Sequence, residues 1–258
     1  QLWRTLVDTP IHGAHVVADG KVMAINIDDE MQTFPADTGT ADWTYQGLTE
    51  PARILKASSP AIAGDSVVAA FASGELVALR SANGNEAWTQ VLSRANRTNA
   101  LSEIRDIAGR PVVYRGDVYA GSHSGVFMAV DMRTGQPRWT LPITTISTPW
   151  PAGDVVFIVS KAGDVICASR ENGQVYWITE LNKGVKKRKN RALYNGPVLA
   201  NGRLLVVSDK GDLTSLDPKT GAVQTSLKLS KEGAEISPIA MNGTIYVVTD
   251  DAKLVSLR

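Results

Sequence analysis

The chain has one cysteine, three histidines and no excess of either charge in 258 residues. A lone cysteine excludes an internal disulfide framework and a four-thiolate zinc site. With 27 Lys+Arg against 26 Asp+Glu, the formal net charge is +1, so nothing draws the molecule as a whole toward nucleic acid or an anionic membrane. No stretch approaches the roughly 20 apolar residues that span a bilayer as a helix, and no basic-then-apolar segment follows Gln1. Helical 3.6-residue periodicity of useful length is missing as well. Aromatic residues make up only 6%, yet the chain has six tryptophans, and their placement is informative.

Five of the six fall on one repeat. Counting from Pro60, Gly74 lies 14 residues on, Gly84 lies 24 on and Trp88 lies 28 on. Pro111 is followed at the same offsets by Gly125, Gly135 and Trp139, and Pro149 by Gly163, Gly173 and Trp177. From Pro197 come Gly211 and Gly221, with Thr225 in the tryptophan position, and Pro238 opens a further unit. His15 replaces the proline of the first unit, which keeps Gly39 and Trp43. Trp3 reads as the end of a unit that begins upstream, and Trp150 stands outside the scheme. Anchor spacings vary (45, 51, 38, 48 and 41 residues) around a fixed 28-residue core, as stacked supersecondary units with free connections require.

Inside each core the pattern is β. Asp65–Leu79 reads as two strands about a Ser73-Gly74 turn. Val118–Ala120 with Val126–Val130, and Leu204–Ser208 with Leu213–Leu216, read the same way. Short Val/Ile/Leu runs punctuated by glycine are hairpin chemistry, because glycine accepts the positive φ of tight turns. Eighteen residues past each anchor the side chain is small (Thr33, Ala78, Ala129, Cys167, Ser215, Ser256), which lets neighbouring sheets approach. Four short strands per repeat predict an all-β propeller with about six blades in residues 1–258, forming a single domain. A first unit that opens on its tryptophan strand, and a last one 20 residues past Pro238, lead us to expect a piece of a longer ring.

The turn Ala129-Val-Asp131-Met-Arg-Thr134-Gly135-Gln-Pro-Arg-Trp139 resembles the PQQ-like, quinoprotein-type propeller repeat. Over essentially the whole chain the sequence is similar to the BamB family of outer-membrane protein assembly factors. The likeness is strongest in Glu103–Val113 and Ser237–Val247. It implies an eight-bladed, lipid-anchored propeller at the periplasmic face of the outer membrane of a Gram-negative bacterium. Such a protein has no cofactor and no catalytic residues. It scaffolds the β-barrel insertase by binding that protein's POTRA domains, with unfolded outer-membrane proteins as further partners and no nucleic acid. Membrane attachment would come only through a lipid anchor that this chain does not carry. The family's docking surface maps onto Arg53, Ile54, Leu55 and Lys56 and onto Arg105, Asp106 and Ile107. Arg53 precedes its apolar pair where the family pattern has it following, and Ala108 stands in place of a second acid. Replacing Asp106 by Arg is expected to weaken binding without affecting unfolding. The connections Thr44–Ser59 and Thr89–Arg110, at 16 and 22 residues, are long enough to be functional candidates in their own right.

Other features have plainer explanations. Dehydrogenases of the PQQ-like superfamily resemble a pattern with a vicinal cysteine pair, whereas Cys167 is alone and sits at a small-residue repeat position that suits core packing. A PQQ-dependent dehydrogenase and a generic ligand-binding propeller remain the alternatives to a scaffold. His12 and His15 lie three apart with no helix to bring them together, and His123 falls in a hairpin turn, so no metal site is expected. Asp28-Asp29-Glu30 replaces the usual glycine turn and reads as a solvated one. The sharpest charge feature is Lys183–Arg191, six basic residues in nine. It is either a solvated loop or, through Lys186, Lys187, Arg188 and Lys189, a contact for an acidic partner or anionic headgroups.

Overall fold

Side chains alternate from face to face along a strand, so a strand buried on both faces has to be apolar throughout. Ser-Val-Val-Ala-Ala at 66–70 meets that demand, and every one of its residues is buried. Such strands need a neighbouring sheet on each side, and stacked sheets supply it. The computed structural model describes residues 1–49, 58–92 and 106–258. These residues form two compact units, Gln1–Ile146 and Ser147–Arg258.

The first unit holds three four-stranded antiparallel sheets in which neighbours in sequence are neighbours in space. They are β1 (Val16–Ala18), β2 (Lys21–Ile25), β3 (Glu30–Pro35) and β4 (Thr44–Gln46); β5 (Ala61–Ala63), β6 (Ser66–Ala70), β7 (Glu75–Arg80) and β8 (Glu86–Val91); and β9 (Val112–Tyr114), β10 (Asp117–Gly121), β11 (Phe127–Asp131) and β12 (Pro137–Leu141). In the second unit lie two more four-stranded meanders and one of three strands. These comprise β13 (Trp150–Ala152), β14 (Val155–Val159), β15 (Asp164–Ser169) and β16 (Val175–Glu180); β17 (Tyr194–Ala200), β18 (Arg203–Ser208), β19 (Asp212–Leu216) and β20 (Val223–Lys228); and β21 (Ile239–Met241), β22 (Thr244–Val248) and β23 (Leu254–Leu257). The hairpins expected at 65–79, 118–130 and 204–216 are all present, their strands differing by a residue or so at the ends.

Hydrophobic cores lie between sheets. Met23, Ile25 and Met31 of the first sheet pack on Val67, Ala69, Phe71, Val77 and Leu79 of the second. From the opposite face of that second sheet, Val68, Ala70, Leu76 and Ala78 pack on Val118, Ala120, Met128 and Val130 of the third. The second unit repeats the arrangement, with Phe157, Val159, Val165 and Cys167 against Leu204, Val206 and Leu216.

Tryptophans close these seams. Four of the indoles donate to a backbone carbonyl of the following sheet: Trp3 to Ala36 at 2.8 Å, Trp43 to Ser81 at 3.0 Å, Trp88 to Met132 at 2.7 Å and Trp177 to Pro218 at 3.3 Å. Three residues beyond each accepting carbonyl stands the repeat glycine, over which the ring lies. A Cβ on Gly135, at φ +72°, would come within 2.6 Å of the Trp88 ring. Asp131 builds the turn that presents this glycine. Its Oδ1 accepts the amides of Arg133 (3.0 Å) and Thr134 (2.9 Å), and Gly135 N–H donates back to the Asp131 carbonyl at 2.8 Å. The amide of Thr134 is the chief reason the Asp131 carboxyl lies below its ordinary pKa.

The small repeat residue has a more specific reason than sheet approach. Ala78 pairs across the strands with Trp88, Ala129 with Trp139 and Cys167 with Trp177, each immediately before a bulge. A larger side chain there would crowd the indole on the same face. Asp29, expected in a solvated turn, is 4% exposed and takes a left-handed φ of +60° at the position where Gly74, Gly125, Gly163 and Gly211 stand in four other repeats. Its Oδ1 accepts the Ala72 amide at 3.1 Å, so the acid joins two sheets.

Candidate functional site

Two long connections leave the first and second sheets, and three of their four described ends are hydrogen-bonded to one hairpin, that of β6 and β7. The turn between β6 and β7 carries Glu75, 8% exposed, whose Oε2 accepts the Leu48 amide at 2.8 Å and the Ser73 hydroxyl at 2.9 Å. Leu48, itself 66% exposed, is thereby pinned just before residues 50–57. At the other end of that segment Ser58 Oγ–H donates to the Gly109 carbonyl at 3.2 Å. Gly109 belongs to the second connection, so the two are tied together.

The second connection is held at both ends by the same pair of turns. Leu92 donates to the Gly74 carbonyl at 2.8 Å and accepts from Ser124 Oγ at 3.0 Å. Past residues 93–105, the Asp106 carbonyl accepts the His123 amide at 2.9 Å and the Ile107 amide donates to Phe71 at 3.4 Å. Leu92 and Ile107 are both fully buried, in one cluster with Leu76 and Ala120.

The sequence therefore placed a docking surface on residues of two kinds. Arg53, Ile54, Leu55, Lys56 and Arg105 lie outside the described residues. Asp106 and Ile107 are described and are 3% and 0% exposed, so neither offers its side chain to a partner as placed. They anchor the connection. That burial argues that Asp106→Arg would disturb the fold, where the sequence led us to expect unfolding to be untouched. Sequence reasoning missed the convergence because Ser58, Glu75 and Ser124 are small or ordinary polar residues with no motif of their own. The one available signal was that both long connections flank the same repeat unit.

The other candidates are spread apart. Cys167 is 3% exposed in the seam behind Trp177, and burial pushes its thiol up to about 11. Among the described residues no three His, Cys, Asp or Glu side chains group as a metal site. Lys186, Lys187, Arg188 and Lys189 are all exposed, on and beside a short 3-10 turn at Arg188–Asn190.

Comparison with known proteins gives a consistent picture. A family model described as outer membrane protein assembly factor BamB matches residues 1–179 and 183–258. The chain is 26% identical to outer membrane protein assembly factor BamB of Burkholderia pseudomallei, aligned over 100% of this chain and 66% of that protein. The proteins of the same name from Shewanella oneidensis and Yersinia pestis are 23% and 25% identical, with 98% and 96% of this chain covered. The chain spans 62% and 63% of their lengths. Among solved structures, BamB from Moraxella catarrhalis superposes with a TM-score of 0.86 at 20% identity, over 98% of this chain and 73% of that one. Quinohemoprotein alcohol dehydrogenase from Comamonas testosteroni gives 0.69 at 14% identity, over 93% and 51%. The fold is thus an all-β propeller, as the tryptophan spacing led us to expect, and its repeats are of the PQQ-like type that the Ala129–Trp139 turn resembles.

Proposed function

The chain belongs to the BamB family of outer membrane protein assembly factors, and on that premise we propose that it is a non-enzymatic scaffold subunit of the machinery that inserts β-barrels into the outer membrane. The observation that carries this reading is the tie between its two long connections, Ser58 to Gly109 at 3.2 Å. A scaffold needs exposed loops held at fixed ends, since ordering them on binding would otherwise cost affinity. Arg53, Ile54, Leu55, Lys56 and Arg105 supply the contacts to POTRA domains of the insertase, with Leu55 as the apolar anchor. Asp106 and Ile107 anchor the second connection where it rejoins the sheets. Unfolded outer-membrane proteins are secondary partners of the same face.

In this reading the sheets are one propeller domain within an eight-bladed ring, at the periplasmic face of the outer membrane. A lipid anchor belongs to the full-length protein. The relatives' shared name supports the assembly role, and the fold likeness to a quinohemoprotein dehydrogenase extends to architecture alone.

The test is capture of purified POTRA domains by the immobilised chain. Leu55→Glu should abolish capture at concentrations where the wild type binds, with an unchanged circular dichroism spectrum. Equal capture by both would remove the docking assignment. Turnover of an alcohol on addition of pyrroloquinoline quinone and Ca²⁺ would overturn the non-enzymatic reading.

A further inference from the structure

The connection between β16 and β17 has a charge density that the scaffold reading leaves unused. Lys183, Lys186, Lys187, Arg188, Lys189 and Arg191 all lie exposed within it. Six like charges on one short loop repel one another, a repulsion that salt screens and that an anionic surface would relieve. Yet the loop is held in place. At its entrance Asn182 Nδ2 donates to the carbonyls of Ala162 (2.8 Å) and Ala192 (2.9 Å), and its Oδ1 accepts the Ala192 amide at 3.0 Å. One side chain thereby clamps both ends of the loop.

Leu193 then donates to Asp209 Oδ1 at 3.0 Å, and the Asp209 amide returns to the Leu193 carbonyl at 2.9 Å. Inside the loop Asn190 donates to Lys187 and Arg191 to Arg188, at 2.9 and 3.1 Å. Nearby lysines have acidic neighbours, Lys210 with Asp209 at 3.8 Å and Lys228 with Asp212 at 3.5 Å. The six cations of the loop take part in no ion pair among the described residues.

We propose that this loop is a contact site for an anionic lipid surface. Four of its six cations are lysines. An ammonium is a compact point charge without the fixed fork that matches a positioned carboxylate, and protein interfaces deplete lysine while enriching arginine. Mobile headgroup phosphates make no such geometric demand. Tyr176 and Ile178, on the strand leading into the loop, are 56% and 57% exposed, and Leu193 at its exit is 44% exposed. Exposed aliphatic and aromatic residues flanking a lysine-rich segment in sequence are the composition that settles at headgroup level. No aromatic residue lies within 183–191 to stack a base, which sets nucleic acid aside. The inference stands on this loop alone and is independent of the scaffold reading.

Co-sedimentation of the 258-residue chain with phosphatidylcholine vesicles, with and without phosphatidylglycerol, tests it. Binding should need phosphatidylglycerol and weaken as salt is added. Each basic residue near such a surface is worth about fivefold in partitioning, so four together set a ceiling of several hundredfold. The combined Lys186→Gln, Lys187→Gln, Arg188→Gln and Lys189→Gln variant should therefore lose at least about tenfold, with an unchanged circular dichroism spectrum. The paired lysines are the control, and Lys210→Gln with Lys228→Gln should stay within about twofold of wild type. Equal binding to both vesicle types, or undiminished binding by the quadruple variant, would overturn the proposal. So would capture of polyglutamate by a chain that ignores vesicles, which would make the loop a protein-facing surface.

Discussion

Ser58 and Gly109, 51 residues apart, are joined by a hydrogen bond from the serine hydroxyl to the glycine carbonyl at 3.2 Å, and both residues are buried. The bond fastens the end of one long connection to the end of the next. Removing the hydroxyl leaves a buried carbonyl short of a partner, a change that costs about 1–3 kcal/mol. Ser58→Ala should lower the unfolding free energy by about that amount in a urea titration. If the tie also organises the docking face, affinity for POTRA domains should fall severalfold. Lost stability with full affinity would confine the bond to a structural role.

The seams invite a direct comparison of positions. Trp88 lies over Gly135 and donates to Met132 at 2.7 Å, whereas Thr225 occupies the equivalent place and its hydroxyl shares a hydrogen bond with that of Ser215 at 2.8 Å. Trp88→Ala should cost about 3–5 kcal/mol, and Thr225→Ala about 1 kcal/mol. Gly135→Val should rival the tryptophan deletion, since it drives a Cβ into the indole from a backbone at φ +72° that β-branched residues avoid. Denaturant midpoints of the three variants give the ranking. A threonine variant as damaging as Trp88→Ala would mean that the ring is not what holds the seam.

Much of this fold was legible because the repeat writes each physical requirement at a fixed offset. Gly135 must be glycine to lie beneath Trp88, Ala129 must be small to face Trp139, and Asp131 must cap its own turn. What the sequence obscured were substitutions that preserve the backbone by other chemistry. Asp29 accepts the left-handed conformation because its short acid finds the Ala72 amide. The candidate face was legible only in part. Its length marked the connections, but Asp106 and Ile107 look as exposed in sequence as Arg53 or Lys56, since burial at a loop's end depends on which turn lies beneath it. The Lys183–Arg191 loop could be read for charge. Its clamp by Asn182 could not, because one asparagine bonding to Ala162 and Ala192 has no local signature.

Cys167 offers a test that involves no partner. Its thiol is raised from 9.0 to about 11 by burial opposite Trp177. A folded pKa above the unfolded one means that the neutral thiol is favoured by folding. That contribution is intact below pH 9.0 and disappears as the pH climbs toward about 11. The native chain should accordingly resist Ellman's reagent at neutral pH and release one thiol equivalent only on unfolding. Cys167→Ala, which keeps the small side chain facing the indole, should stay folded and lose no more than about 1–2 kcal/mol. Prompt reaction of the native protein would show that the seam opens on the time scale of the assay.

Asp106 separates anchoring from recognition. Its side chain is 3% exposed and its carbonyl holds the His123 amide at 2.9 Å, at the point where the second connection rejoins the sheets. An arginine there must either bury a guanidinium without a matched acid or pull the segment off the turn. Burying an uncompensated charge is strongly destabilising, by about 3–5 kcal/mol when a buried pair is broken. Asp106→Arg should therefore lower the thermal midpoint markedly, and any loss of POTRA binding should follow from that. Asp106→Asn, nearly the same in shape, should recover most of the stability. Leu55→Glu should do the reverse, weakening capture with an unchanged midpoint. Should Asp106→Arg melt like wild type while failing to bind, the acid would belong to the recognition surface and not to the anchor.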